Sequence, residues 1–149
     1  MAAQVPRKAP ELLPHNIKAE EVLIGALLIG GQEFIPEVQQ IKPGDFYRER
    51  NAIIWGAILT LASRGQDIDR VTVEDELIVS GQDQPFGGTL IKYLHDCMYQ
   101  CPTPFHAKGY ARIVKEFSRQ RHAIAEAGRK AGEAWEGRMT GRTLDFNEE

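Results

Sequence analysis

Cysteine is nearly absent from this chain, with only Cys97 and Cys101 present. That excludes the many-bridge framework of a small secreted domain. The 42% hydrophobic content supplies enough apolar material for one ordinary core without such staples. A membrane-length run is also missing. The longest apolar stretch, Val22 to Ile29, falls far short of the roughly 20 residues a spanning helix needs. The opening residues carry no apolar export segment, so no membrane role and a cytoplasmic setting are expected. Nor is there a surplus of positive charge. With 18 basic and 21 acidic side chains the net charge is -3, which argues against a dedicated nucleic-acid binder held by its overall field. Period-2 alternation is absent, so no sheet is expected, and no internal repeat is visible.

The signatures of common catalysts are missing as well. No Gly-Lys dipeptide occurs, which excludes the phosphate-cradling loop that ends in Gly-Lys-Ser/Thr. No Gly-x-Ser-x-Gly elbow or His-Glu-x-x-His pair is found. The carboxylate groups Glu20-Glu21 and Glu74-Asp75-Glu76 read as solvated faces and caps. No catalytic and no cofactor-binding residue is therefore assigned. The one constellation with ligand chemistry is His95, Cys97, Cys101 and His106, since zinc prefers Cys and His. Its spacing is poor, because side chains two apart on a helix diverge by about 200 degrees. No metal site is expected. Cys97 reads as core and Cys101 as a loop thiol.

What remains is a series of well-punctuated helices. Residues 1–13 mix Pro, Ala and charge and read as a flexible tail. Asn16 is a plausible N-cap for a helix through Ile29 that ends at Gly30-Gly31. A short helix around Glu33 to Gln40 precedes the Lys42-Pro43-Gly44-Asp45 break. A second core helix runs from about Arg48 to Ser63, with Ile54, Trp55, Ile58 and Leu61 on its apolar stripe. Trp55, Phe46 and Tyr47 could form a base-stacking platform, but core packing is the simpler reading. Thr72 with Asp75 resembles a capping box for a short helix. Another follows Gly87-Gly88-Thr89 and stops at Pro102-Thr103-Pro104. The helical head thus spans 14–104.

The last helix is of another kind. It is expected to run over 105–136, far beyond the mean globular length of about 11 to 12 residues, and to project. Tyr110, Phe117, Ile124 and Ala131 recur every seven residues, with Val114, Arg121, Gly128 and Trp135 four after each. That is the spacing of a seam for a partner helix. Tyr110, Val114, Phe117, Arg121, Ile124, Ala131 and Trp135 are the expected interface. Arg112, Lys115, Arg119, Arg121, Arg129 and Lys130 outnumber Glu116, Glu126 and Glu133 along it, so this face could also meet an acidic partner or DNA. Residues 137–149 read as a frayed tail or a truncated second arm.

Several of these segments together resemble a known family. Pro14-His15-Asn16-Ile17-Lys18-Ala19-Glu20-Glu21 with the hydrophobic helix Val22–Leu28 is similar to the opening of the amino-terminal domain of DnaB-type replicative DNA helicases. Asp45-Phe46-Tyr47-Arg48, a helix ending Arg64-Gly65, Ile68-Asp69 with Val71-Thr72, Gly87-Gly88 before Tyr93-Leu94, and Tyr110 to Glu116 follow in the family's order. The resemblance covers roughly residues 14–120. It departs at His95 to His106, where the family usually has a plain polar-apolar stretch. It implies an all-α fold with a compact head and a two-helix hairpin, of which only the first arm can be placed.

The resemblance further implies a non-catalytic role in a collar. Hairpins of neighbouring subunits would pair into dimers, toward a hexameric ring. The collar would dock a primase, influence ring opening by a loader, and meet DNA mainly through the ring. ATP and Mg would belong to a motor domain outside this chain. Two other functions fit the same residues: a stand-alone phage- or plasmid-type accessory protein that mimics this domain, and a small zinc-binding module.

Overall fold

The computed structural model describes residues 13–148, with side chains through Arg138. The expected tail at 1–13 therefore lies almost wholly outside the described residues. No strand occurs among them, so the all-α expectation holds. The helices are α1 (Ile17–Gly30), α2 (Ile35–Val38), α3 (Glu49–Ser63), α4 (Arg70–Val79), α5 (Leu90–Gln100) and α6 (Ala107–Glu148), with a single 3-10 turn at every junction except that of α3 with α4. The chain divides into two compact units. One, called the head below, is His15–Ser118; the other comprises, among the described residues, 13–14 with 119–148.

Helix α1 is the axle of the head. Asn16 caps it, its side chain accepting from the Ala19 N–H at 2.9 Å. It ends where Gly31 turns to φ 74°, a left-handed conformation that glycine adopts without strain. Ala19, Val22, Leu23, Ile24, Ala26, Leu27 and Leu28 are all buried. A helix apolar on every side must lie inside the fold. It is flanked by α3 and α5, and α5 comes exceptionally close. A Cβ added at Gly25 would stand 2.1 Å from the Cys97 carbonyl oxygen and 3.1 Å from the Cys101 Cβ. Only glycine fits that crossing.

The other helices present narrower faces. α3 gives Ile54, Trp55, Ala57, Ile58 and Leu61 to the core, and the Trp55 indole N–H donates to the Ile41 carbonyl at 2.9 Å. Trp55 is fully buried and Phe46 packs on it, so neither can stack a base. Helix α5 buries Leu90, Leu94 and Cys97, one stripe at helical spacing. Cys101 lies in the loop after α5, as its sequence suggests, yet it is 9% exposed and belongs to the core, because the Gly25 crossing draws α1 over it.

Two boundaries differ from expectation. Helix α4 opens at Arg70, with Asp69 as N-cap in a reciprocal capping box with Thr72. Asp69 accepts from the Thr72 N–H at 2.9 Å and Thr72 Oγ1 accepts from the Asp69 N–H at 2.9 Å. The Thr72–Asp75 box is one turn too late. Helix α6 does not stop near residue 136 but continues to Glu148. Glycines at 137 and 141 lower its propensity by about 1 kcal/mol each, yet no proline follows Pro104 to break it sterically. Thr103 caps the 3-10 turn Pro104–His106 that leads into α6, accepting from the Phe105 N–H at 3.2 Å.

Candidate interaction surfaces

The base of α6 is built into the head. Ala107, Ala111, Val114 and Ser118 form its buried face, and the small side chains allow the helix to lie close against the core. A polar clasp fixes the end of this face. The Asp45 carboxylate, 5% exposed, accepts from the Lys42 N–H at 2.8 Å. It also accepts from Ser118 Oγ at 2.7 Å and from Lys115 Nζ at 3.0 Å. Burial alone would raise its pKa, but the three donors outweigh burial and hold the carboxyl below its ordinary value.

A second polar cluster lies between α1, α3 and α5. Glu20 is 2% exposed. It accepts from the Tyr47 N–H at 2.6 Å, the Arg48 N–H at 3.3 Å and Asn51 Nδ2 at 2.9 Å, so it ties α1 to the segment that leads into α3. Glu21 accepts from Gln100 Nε2 at 2.9 Å and pairs with Arg48 at 3.3 Å. The Tyr93 hydroxyl donates to Asn51 Oδ1, and burial pushes its pKa up to about 12. This corrects the reading of Glu20-Glu21 as a solvated face. The signal was available: from Val22 to Leu28 every position is apolar or glycine, which leaves α1 little wet surface for Glu20. His15 stacks on Tyr47 with ring centroids 4.2 Å apart.

The metal candidates stay apart. His95 and His106 are exposed while Cys97 faces the core. Burial pushes the Cys97 thiol up to about 12 and raises that of Cys101, the opposite of a thiolate ligand. Among the described residues no three His, Cys, Asp or Glu side chains gather as a metal would need.

The seven expected interface residues divide. Val114 is 2% exposed in the head core, so its side chain has no surface to offer. This corrects its place on the seam: it shares a face with Ala107, Ala111 and Ser118. Tyr110 packs partly buried against the same core, and Phe117 is half-buried. Arg121 is partly covered and donates to the Pro14 carbonyl at 2.9 Å. Ile124, Ala131 and Trp135 are exposed. The positive excess also shrinks: Lys115 serves Asp45, Arg129 pairs with Glu126 and Glu133, and Lys130 reaches Glu126 at 3.9 Å.

The same architecture occurs in known proteins. The family model described as the DnaB-like helicase N terminal domain matches residues 12–116. The solved N-terminal domain of DnaB helicase from Mycobacterium tuberculosis is 33% identical, with a TM-score of 0.79 over 85% of this chain and 89% of that one. The replicative DNA helicase DnaB of Geobacillus stearothermophilus is 37% identical over 114 residues, 76% of this chain and 25% of the relative. The replicative DNA helicase DnaC of Bacillus subtilis is 36% identical over 78% of this chain and 25% of its own length. A DnaB-like replicative helicase, solved in a study of its interactions with primase, shares the fold at a TM-score of 0.66 and 24% identity. The fold is thus that of a helical head leading into a long helix. The chain belongs to the DnaB-like helicase N-terminal domain family. It spans about a quarter of the length of the curated relatives it matches.

Proposed function

We propose that this chain is the non-catalytic assembly and primase-docking domain of a cytoplasmic replicative DNA helicase of the DnaB type. One observation carries the reading. Every described residue of α6 from Arg119 to Arg138 is exposed except the partly covered Arg121, and these include Ile124 at 48% and Trp135 at 56%. A helix alone in water is marginal, and most helical stability in proteins comes from packing an apolar face. A stretch this long with an unpacked isoleucine and tryptophan calls for a second helix along it.

Pairing with the same segment of another copy would give dimers, and repetition around a ring would give a hexameric collar. The head offers a rigid platform on which a primase docks. DNA unwinding, with the ATP and Mg it consumes, and any contact with a loader belong to a larger assembly of which this domain is one part. Titrating the purified chain with a purified primase, followed by light scattering, tests the docking role. Saturable complex formation is expected. A mixture that scatters as the sum of its components across micromolar concentrations overturns it.

A further inference from the structure

Helix α4 is packed on one side only, and its outer side mixes large apolar residues with carboxylates. Of its ten residues just Val73 and Leu77 are buried. Val71, Ile78 and Val79 stand out, Val79 at 76% exposure, and Ile91 of α5 adds a fourth exposed branched side chain. These residues line two grooves, one on each side of α4. Val71, Asp75 and Val79 face one, which is bounded by Arg64 and Asp67. Ile78 and Ile91 share the other with Glu74 and Asp83. Four exposed apolar side chains on neighbouring turns mark a binding surface more than a chance scatter.

The charges around this ridge fix the chemistry of its occupant. Arg64 is held by Glu76 at 2.9 Å and Arg70 by Glu74 at 3.6 Å, so both local cations are already neutralised. Asp67, Asp75 and Asp83 make no ion pair within the described residues and rim the apolar ridge. An apolar strip edged by uncompensated carboxylates complements a helix that carries large apolar residues on one side and Lys or Arg on its flanks. We propose that the α4 ridge of the head is a docking site for a basic amphipathic helix of a partner protein. It uses no residue of α6 and stands whether or not the chain self-associates.

The test uses the whole chain and two synthetic helical peptides, each about five turns long. One carries leucine on one face with lysine on the flanks; the other has glutamate in place of each lysine. Fluorescence anisotropy should show the lysine peptide binding at least about tenfold more tightly, with affinity falling as salt screens the rim. The chain bearing Ile78→Ser and Val79→Ser, whose charge is unchanged, should bind the lysine peptide about tenfold more weakly. Asp75→Lys should weaken it similarly. All three positions are surface sites, so far-UV circular dichroism should match the parent.

Equal binding of both peptides overturns the proposal. So does unchanged binding of the lysine peptide to the serine variant, which would reduce the effect to diffuse attraction by acidic surface. If sedimentation shows self-association that the serine variant abolishes, the ridge is covered by a second copy and the partner-helix proposal fails.

Discussion

Helix α6 lives in two environments. From Ala107 to Ser118 it buries Ala107, Ala111, Val114 and Ser118 and is clasped by Asp45. From Arg119 to Arg138 it buries no residue fully. The seven-residue recurrence runs through both stretches, so periodicity alone does not say which turns serve the chain's own core. Burial does. Ala107, Ala111, Val114 and Ser118 line the first stretch, where α6 lies against the core, whereas Ile124 and Trp135 in the second are large apolar residues left exposed.

The strongest way to break this contrast is to make the same substitution in both stretches. Val114→Asp places a carboxylate in the dry core and should cost on the order of 4 kcal/mol, enough to unfold much of the population. Ile124→Asp, on the exposed flank, should change stability by less than about 0.5 kcal/mol. Urea denaturation followed by circular dichroism measures both. Equal losses would mean that both stretches are packed alike.

Next in size is the α1–α5 crossing. Gly25→Ala puts a methyl group against the Cys97 carbonyl, a backbone atom that cannot swing away. It should cost about 2 to 3 kcal/mol. Gly128→Ala, where the added Cβ meets nothing within 4 Å, should raise helix stability by up to about 1 kcal/mol. Thermal melts of the two variants should therefore move in opposite directions.

The clasp gives a smaller effect with a pH signature. Because the folded Asp45 pKa lies below its ordinary 3.8, its stabilisation is fully present above that value. It is lost as pH falls through the lowered one. Asp45→Asn removes the charge that Lys115 pairs with and should cost about 1 kcal/mol at neutral pH. Below pH 3.8 the difference between the variant and its parent should shrink, which acid titrations of stability would reveal. A gap that persists unchanged into acid would remove the charge from the clasp.

How much of this was legible in the sequence follows from the kind of signal each feature leaves. Helix order and punctuation were readable because Asn16, Gly31, Thr103 and the prolines act on the backbone next to them. The α4 boundary slipped because Thr72 takes part in a reciprocal box whose leading member is Asp69. The Asp45–Lys115–Ser118 clasp joins residues about 70 positions apart, so no local pattern announces it. Glu20 was misread by its charge although its neighbours left it little wet surface. Val114 fitted the seam by spacing, and only its burial shows that the head claims it.

The most direct test is sedimentation equilibrium of the chain and its Ile124→Asp variant across a concentration series, with circular dichroism confirming that both are folded. The parent should show concentration-dependent self-association, and the variant should remain monomeric with the same head stability. If both sediment as identical monomers, or if both associate equally, the exposed flank of α6 is not the surface through which copies of this chain assemble.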